Sequence, residues 1–462
     1  MAGVRQQDKS MEVTKRLAEF VVNARYEDVP AAVRHEATRS LLNWLGCAVG
    51  GSRHETVDIA LATFAPFSGP PRASVLGRGE RLDAMHAALV NGISSHVFDF
   101  DDTHLKTVIH PSGPVASALL AFAEHSPVSG ADLLHAFILG VEVECRIGRA
   151  VYPSHYDIGW HITGTAGVFG AAAAIGRVLG LHVQQMTWAL GIAATQAAGL
   201  REMFGTMCKP FHPGRAAQNG MAAACLAAKG FTSSERSIEA PRGFAHVTAT
   251  ACDFDMITGG LGAHWEIASN TYKPFACGIV IHPTIDGCLQ LRHEHNLRGD
   301  EIAGIALKVH PLVLELTGKK TPQVGLEGKF SVYHSAAVAI IHGEGGERVY
   351  SDACVREPRV VALRDRVTAT VDPGVREDAA RVTITLKDGR VIEKQVIHAI
   401  GSLDRPMSDG DLDVKLRGLA TGILSEAEVA ALIQICRSVG ELRDAADIAR
   451  AAVPAVRQGA ER

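Results

Sequence analysis

The chain has 462 residues, of which 47% are hydrophobic and 21% are charged, and its formal net charge is −4. We expect two domains at this length, because single hydrophobic cores seldom grow beyond roughly 250–300 residues. The near-neutral charge excludes the strongly basic surface that nucleic acids and anionic membranes attract, so neither is an expected partner.

The cysteines and the N-terminus predict a cytoplasmic protein. Nine cysteines are scattered along the chain without a C-x-x-C pair, which is typical of reduced thiols. Residues 1–21 have mixed charge and lack the apolar region of a signal peptide. No apolar run approaches the about eighteen residues that a membrane-spanning helix needs.

Hydrophobic periodicity predicts a mainly α fold. A large all-helical domain is expected over residues 1–270, a smaller α+β lid domain over 271–403, and a return to the helical domain over 404–462. The expected helices cover residues 11–51 (in two parts), 55–67, 82–92, 114–126, 130–151, 161–181, 183–199, 211–230, 331–342, 411–420 and 425–439. The expected strands lie within residues 302–316, 366–372 and 380–400, the last folded as a hairpin.

The stretch 91–112 concentrates acids, imidazoles and a hydroxyl among apolar segments. A helix through its centre would place His96, Asp99 and Thr103 on one face, because residues three and four apart are neighbours there. Burying so many polar groups is costly, so the composition indicates a functional site. Its polar residues are His96, Asp99, Asp101, Asp102, Thr103, His104 and His110.

Two other interpretations of this stretch are weaker. Asp99 to Thr103 matches the D-x-D-x-T motif of haloacid-dehalogenase-type phosphatases, but that motif follows a buried strand, and the residues before Asp99 lie in a helical region. His96, Asp99, Asp102 and His110 could hold a divalent metal, or could simply form a buried hydrogen-bond network. The rest of the chain supplies no complementary ligand set, so we expect neither a metal nor a cofactor.

Three further short polar segments of the sequence contain His161, Lys209 and Lys273, one in each. His161 precedes a small-residue helix whose G-x-x-G-x-x-G spacing favours tight helix packing over a dinucleotide site. Lys209, His212 and Arg215 lie within seven residues, and Lys273 repeats the Lys-Pro-aromatic pattern at the presumed domain junction. Together they indicate a small, multiply negative substrate, whose charge lysines would hold while a histidine acts as acid or base.

Six ordered segments resemble the MmgE/PrpD family. They are NGISSHVFDFDDTH…HPSGPV, GWHITGTAG, CKPFHPGRAAQNG, YKPFACG, GKFSVYHSAAVA and RPMSDGDLDVKL, and the resemblance runs from about Leu17 to Val439. It implies a helical domain with an α+β lid domain, an active site between them, and a homodimer. It also implies dehydration, decarboxylation or epimerisation of a small polycarboxylic acid.

The resemblance carries specific site residues. Against the decarboxylases of the family it points to Asp99, Thr103, His110, His161, Lys209 and Lys273. It also points to a tyrosine in the segment where Tyr333 lies one position early and His334 takes its place. This shift, and an Asp99–His110 spacing one residue longer, weigh against cis-aconitate as the substrate.

We therefore expect a cofactor-independent lyase that dehydrates a 2-methylcitrate-like hydroxy acid. His161, His110, Asp99, Lys209 and Lys273 are the expected catalytic residues. An epimerase of an iminodisuccinate-like acid and a decarboxylase of a cis-aconitate-like acid are the alternatives, and a non-catalytic carboxylate-binding protein and a metal-dependent hydrolase are minor ones. The expected substrate-binding residues are Thr103, Arg215, His212, Tyr333 and His334.

Overall fold

The structure, a computed structural model, describes residues 12–455. Of the N-terminal segment in which no signal peptide was expected, residues 1–11 lie outside this range. Within residues 12–455, no helix combines the length and apolar character needed to cross a membrane.

The first part of the chain is helical, as its periodicity predicts. Short two-stranded ladders join its helices: β1 Ala73–Ser74 with β2 Arg81–Leu82, and β3 Thr103–His104 with β4 Asn270–Thr271. The helices are α1 Val13–Asn23, α2 Ala31–Gly51, α3 Glu55–Phe64, α4 Ala84–His96, α5 Ser112–His125, α6 Gly130–Val151, α7 Ser154–Asp157, α8 Ile162–Val178, α9 Val183–Ala194, α10 Cys208–Ala228, α11 Phe244–Thr248 and α12 Asp255–Thr258.

The small residues of α8 serve helix packing. A Cβ atom added at Gly164 would lie 2.4 Å from the carbonyl oxygen of Ala198, and one at Gly167 would lie 2.4 Å from Pro114 Cγ. Both distances are too short for a side chain. The glycine spacing therefore allows neighbouring segments to approach the helix, as predicted. The element directly before α8 is the short helix α7 and not the strand that a dinucleotide fold requires.

The second part of the chain contains a four-stranded sheet in the order β6-β5-β7-β8, in which only β5 and β6 are parallel. The predicted hairpin is confirmed as β7 and β8, and Gly389 supplies the positive φ of its turn. The elements are α13 His282–His295, β5 Ile302–Val309, α14 Pro311–Thr317, α15 Gly325–Gly328, α16 Val332–Ile341, α17 Asp352–Val355, α18 Pro358–Arg364, β6 Val367–Val371, β7 Ala380–Leu386 and β8 Val391–Val396.

Two hydrophobic cores divide the described residues. The first draws on residues 13–272 and again on 407–452, because α19 Asp409–Ala420, α20 Glu426–Arg437 and α21 Ala446–Ala451 pack back onto it. The second draws mainly on residues 275–386 and lies between the sheet and its helices. The fold is thus mainly α with small sheets, as expected, while the domain limits at 270 and 403 remain a prediction.

Candidate active site

A cleft between the two cores collects most of the predicted site residues. It is lined by Asp99, Thr103, Val108, His110, Tyr156, His161, Phe204, Lys209, Lys273, Gly278, Ile279, Val280, Leu316, Thr317 and Phe330. The ladder of β3 and β4 pairs Thr103 with Thr271, and this pairing brings the stretch after α4 next to Lys273.

The helical arrangement considered for His96 to Thr103 does not form. Helix α4 ends at His96, and Asp99 has a φ of 51°, in the left-handed region where a helix cannot continue. Asp99 follows a helix and not a strand, which also argues against the phosphatase motif. The left-handed turn directs the Asp99 carboxylate into the cleft.

Two lysines converge on the Asp99 carboxylate. Lys209 Nζ donates to Asp99 Oδ1 at 2.8 Å, and Lys273 Nζ donates to the same oxygen at 2.9 Å and to the Asp99 carbonyl at 3.0 Å. Burial alone would raise the pKa of Asp99, but the two ammonium groups outweigh it and hold the pKa well below its usual range. The result is an ionised carboxylate that leaves a net positive charge facing the cleft.

His110 is held in one tautomer. Its Nδ1 lies 2.8 Å from the carbonyl oxygen of Asp102, which can only accept, so Nδ1 carries the proton. Its Nε2 lies 3.9 Å from Asp99 Oδ1 at the edge of the cleft. Burial is the main cause that keeps the pKa of His110 well below its usual value, so the ring is a neutral base.

His161 has the same character. Its Nδ1 lies 2.8 Å from Nδ1 of His212, which leaves Nε2 as the nitrogen available to a substrate. Burial and the nearby Lys209 charge hold the pKa of His161 well below its usual value, and burial lowers that of His212 to about 4. His212 therefore supports His161 without lining the cleft itself.

The sequence did not predict the roles of His96 and Asp101. His96 Nδ1 lies 2.7 Å from Asp101 Oδ2, and His96 Nε2 lies 3.0 Å from Lys209 Nζ. The carboxylate fixes the proton on Nδ1, so Nε2 accepts from the ammonium group. Lys209 is thereby held between His96 and Asp99, and burial lowers its pKa below the usual value. The aromatic rings of Phe204 and Phe330 lie 5.3 and 5.5 Å from Lys209 Nζ.

Three predicted substrate-binding residues lie elsewhere. Arg215 is exposed and donates to Gln218 at 2.5 Å. It lies six residues after Lys209, which is roughly one and two-thirds turns of an α-helix, so the two side chains point in different directions. His334 is buried among residues of the second core, where its Nε2 lies 2.9 Å from the Val349 carbonyl oxygen. Tyr333 is buried beside it, outside the cleft lining, with Lys320 Nζ 5.8 Å from its ring.

The four residues considered as alternative metal ligands do not all lie together. Asp102 accepts from Ser112 at 2.5 Å and from Asn270 at 2.6 Å, so it does not join the cluster. Burial and the charge of Asp101 raise the pKa of Asp102 to about 7. Ligand atoms of His96, Asp99, Asp101 and His110 do lie within 4.8 Å of one another. Two ammonium groups already neutralise Asp99, however, and their charge opposes a further cation there.

Comparisons with known proteins identify the family of the chain. The chain is 27% identical to cis-aconitate decarboxylase from Aspergillus terreus, over 94% of each chain, and 28% identical to that of Homo sapiens, over 94% of this chain and 92% of the relative. It is 24% identical to 2-methylcitrate dehydratase from Cupriavidus necator, over 81% and 82% of the two chains. Residues 15–257 match the MmgE/PrpD N-terminal domain and residues 275–440 the MmgE/PrpD C-terminal domain. The chain belongs to the MmgE/PrpD family.

Proposed function

We propose that the protein is a lyase that acts on a small di- or tricarboxylic acid by proton transfer at a carbon next to a carboxylate. The observation that carries the proposal is the convergence of Lys209 and Lys273 on Asp99, 2.8 and 2.9 Å from one oxygen, beside two neutral histidines. The lysines would hold substrate carboxylates and stabilise the negative charge that develops when the proton leaves.

Dehydration of a 2-methylcitrate-like hydroxy acid is the first reaction that we propose. His161 Nε2 takes the proton from the carbon next to a carboxylate, and the electron pair of the broken C–H bond forms the alkene. The C–O bond to the neighbouring hydroxyl breaks, and Lys209 protonates the departing oxygen, which leaves as water. A lowered pKa suits Lys209 to this role, since a general acid works best near the operating pH. His110 and Thr103 orient the substrate.

Decarboxylation of a cis-aconitate-like acid is the second candidate. The cis-aconitate decarboxylases match this chain over 94% of its length, against 81% for the dehydratase of Cupriavidus necator. The same groups would serve both reactions, because each needs bound carboxylates and a proton donor. A homodimer and a cytoplasmic location remain predictions.

Proton NMR of the protein in D₂O with 2-methylcitrate, citrate, cis-aconitate and iminodisuccinate tests the proposal. We expect new vinyl signals from a hydroxy acid, and loss of CO₂ from cis-aconitate would favour the second candidate. Deuterium that enters an α-carbon without an alkene would show epimerisation and contradict a lyase. The His161→Gln variant, which keeps the ring position polar, is the matched control and should form the product at least about 10²-fold more slowly.

A further inference from the structure

A second cavity adjoins the cleft. It has a volume of about 590 Å³, within the roughly 300–1,000 Å³ typical of ligand pockets. Val108, Ile279 and Val280 line both the cleft and this cavity, so the two spaces share one wall. A substrate held by Lys209 and Lys273 therefore lies next to the cavity.

The cavity is chemically unlike the cleft. Most of its lining is apolar, including Val108, Ile279, Val280, Leu312, Val375 and Leu403. Its charged residues are one arginine and three acids, and Arg376 is paired with Asp378 at 3.0 Å. This charge balance repels a carboxylate, so the cavity suits an uncharged, aliphatic group.

The shared wall contains a strained residue. Val108 has a φ of 55°, in the left-handed region that a β-branched side chain rarely adopts. The surrounding turn enforces this conformation, because Val108 N–H donates to the His104 carbonyl and His104 N–H donates to the Ile109 carbonyl, each at 2.8 Å. The turn thus holds an apolar side chain at the boundary between the polar cleft and the apolar cavity.

We propose that the substrate carries an aliphatic arm that passes Val108 and occupies this cavity while its carboxylates bind in the cleft. The inference rests on the proposed function, since the arm belongs to the same substrate, and it narrows the substrate class to alkyl-substituted polycarboxylic acids. Transfer of the arm from water into the apolar cavity strengthens binding. Each methylene that is fully buried would improve the affinity roughly fourfold.

Equilibrium binding measures the arm without requiring turnover. Isothermal titration would compare tricarballylate, a saturated tricarboxylate, with its hexyl-substituted derivative. We expect the hexyl compound to bind at least about tenfold more tightly, since partial burial of the chain lowers the full gain. Equal dissociation constants in the unmodified protein would overturn the proposal.

A matched pair of variants locates the arm. Val375→Trp fills the cavity and should bring the ratio of the two dissociation constants close to one. Val371→Trp places the same ring at an exposed position on β6, outside the cavity lining, and should keep the ratio. Equal weakening of both ligands by Val375→Trp would show that the cavity is only an entrance path and would refute the arm.

Turnover of citrate and of alkyl citrates is scored separately. Tighter binding of the acid with the longer alkyl chain, without turnover of any acid, would support the arm and reject the proposed lyase. Turnover with no chain-length gain, in either binding or kcat/KM, would support the lyase and reject the arm.

Discussion

Asp99→Asn is the sharpest perturbation of the two-lysine cluster. Asparagine keeps the size of the side chain but removes the charge that two buried ammonium groups share. Each charge-assisted hydrogen bond contributes about 1.5–3 kcal/mol, and breaking a buried ion pair costs about 3–5 kcal/mol. Asp99 Oδ1 accepts two such bonds, from Lys209 and Lys273. We therefore expect the free energy of unfolding to fall by about 3–5 kcal/mol.

Urea denaturation of a double-mutant cycle would measure this loss. Lys273→Met removes one of the two positive charges, so the double variant Asp99→Asn/Lys273→Met buries one unpaired ammonium group instead of two. The sum of the losses of unfolding free energy in the two single variants should then exceed the loss in the double variant by at least about 1 kcal/mol. Additive losses would refute the view that these charges stabilise each other.

The pH dependence of the same measurement gives a second check. The folded pKa of Asp99 lies below its unfolded value, so its contribution is present above an unfolded pKa of about 3.9 and is lost as the pH falls through the folded pKa. The difference in stability between the native protein and Asp99→Asn should therefore hold from neutral pH to about pH 4 and shrink below it. A difference that persists unchanged in stronger acid would contradict an ionised Asp99.

Further predictions concern the proton-transfer residues His161 and Lys209, the exposed Arg215 on α10, and Lys415 on helix α19. His161→Gln should lower kcat by about 10²–10⁴-fold, the usual contribution of a general base, while circular dichroism stays unchanged. Burial lowers the pKa of both His161 and Lys209. The acid limb of the kcat/KM profile should therefore be centred below pH 6.5, and the alkaline limb below pH 10.5. An acid limb centred above pH 6.5 would contradict the neutral histidine. Arg215→Gln should change the unfolding free energy by no more than about 0.5 kcal/mol and leave KM unchanged, since Arg215 is exposed. A raised KM would indicate that Arg215 binds the substrate. Lys415→Met should destabilise the protein by about 1–3 kcal/mol for each buried acceptor left without a donor. Burial lowers the pKa of Lys415 to about 8, below the unfolded value, so the unfolded chain binds more protons between pH 8 and 10.5. The stability of the native protein relative to this variant should therefore increase as the pH rises through that range.

Periodicity predicted most elements because their burial follows from the local sequence. Helix α6 is an exception, because it was predicted from an apolar composition on all sides, and 19 of its 22 residues are buried. The hairpin of β7 and β8 was also predictable, because a glycine-containing turn joins two alternating runs. These features depend on neighbours in the chain, so one sequence is enough to find them.

The site was predictable in composition but not in geometry. Asp99, His110, His161, Lys209 and Lys273 all line the cleft, yet the left-handed turn at Asp99 has no glycine to signal it. A helical turn from His96 would have pointed the carboxylate elsewhere. The partnership of His96 with Asp101 was missed for the same reason, since it forms only where the helix has ended.

Sequence spacing was only partly reliable along helix α10. Lys209 and His212 are three residues apart on α10, and both are buried near His161. Arg215 continues the same cluster of cations in the sequence, but the helix carries it to the solvent. Similarly, His334 follows Tyr333 at the start of α16 and turns into the second core. Closeness in the sequence to a site residue is therefore weak evidence that a polar side chain reaches the site.

Lys415 shows how helix α19 completes the site. Its Nζ donates to Asn43 Oδ1 at 2.8 Å, to the Phe100 carbonyl at 2.6 Å and to the Lys273 carbonyl at 2.8 Å, across 372, 315 and 142 residues of sequence. One buried ammonium group thus fixes the backbone beside Asp99 and the backbone of Lys273 relative to each other. The ion pair of Asp99 with Lys273 needs both segments in place, since a shift of 1 Å would break its hydrogen bonds. Helix α19 therefore belongs to the catalytic architecture although Lys415 does not line the cleft.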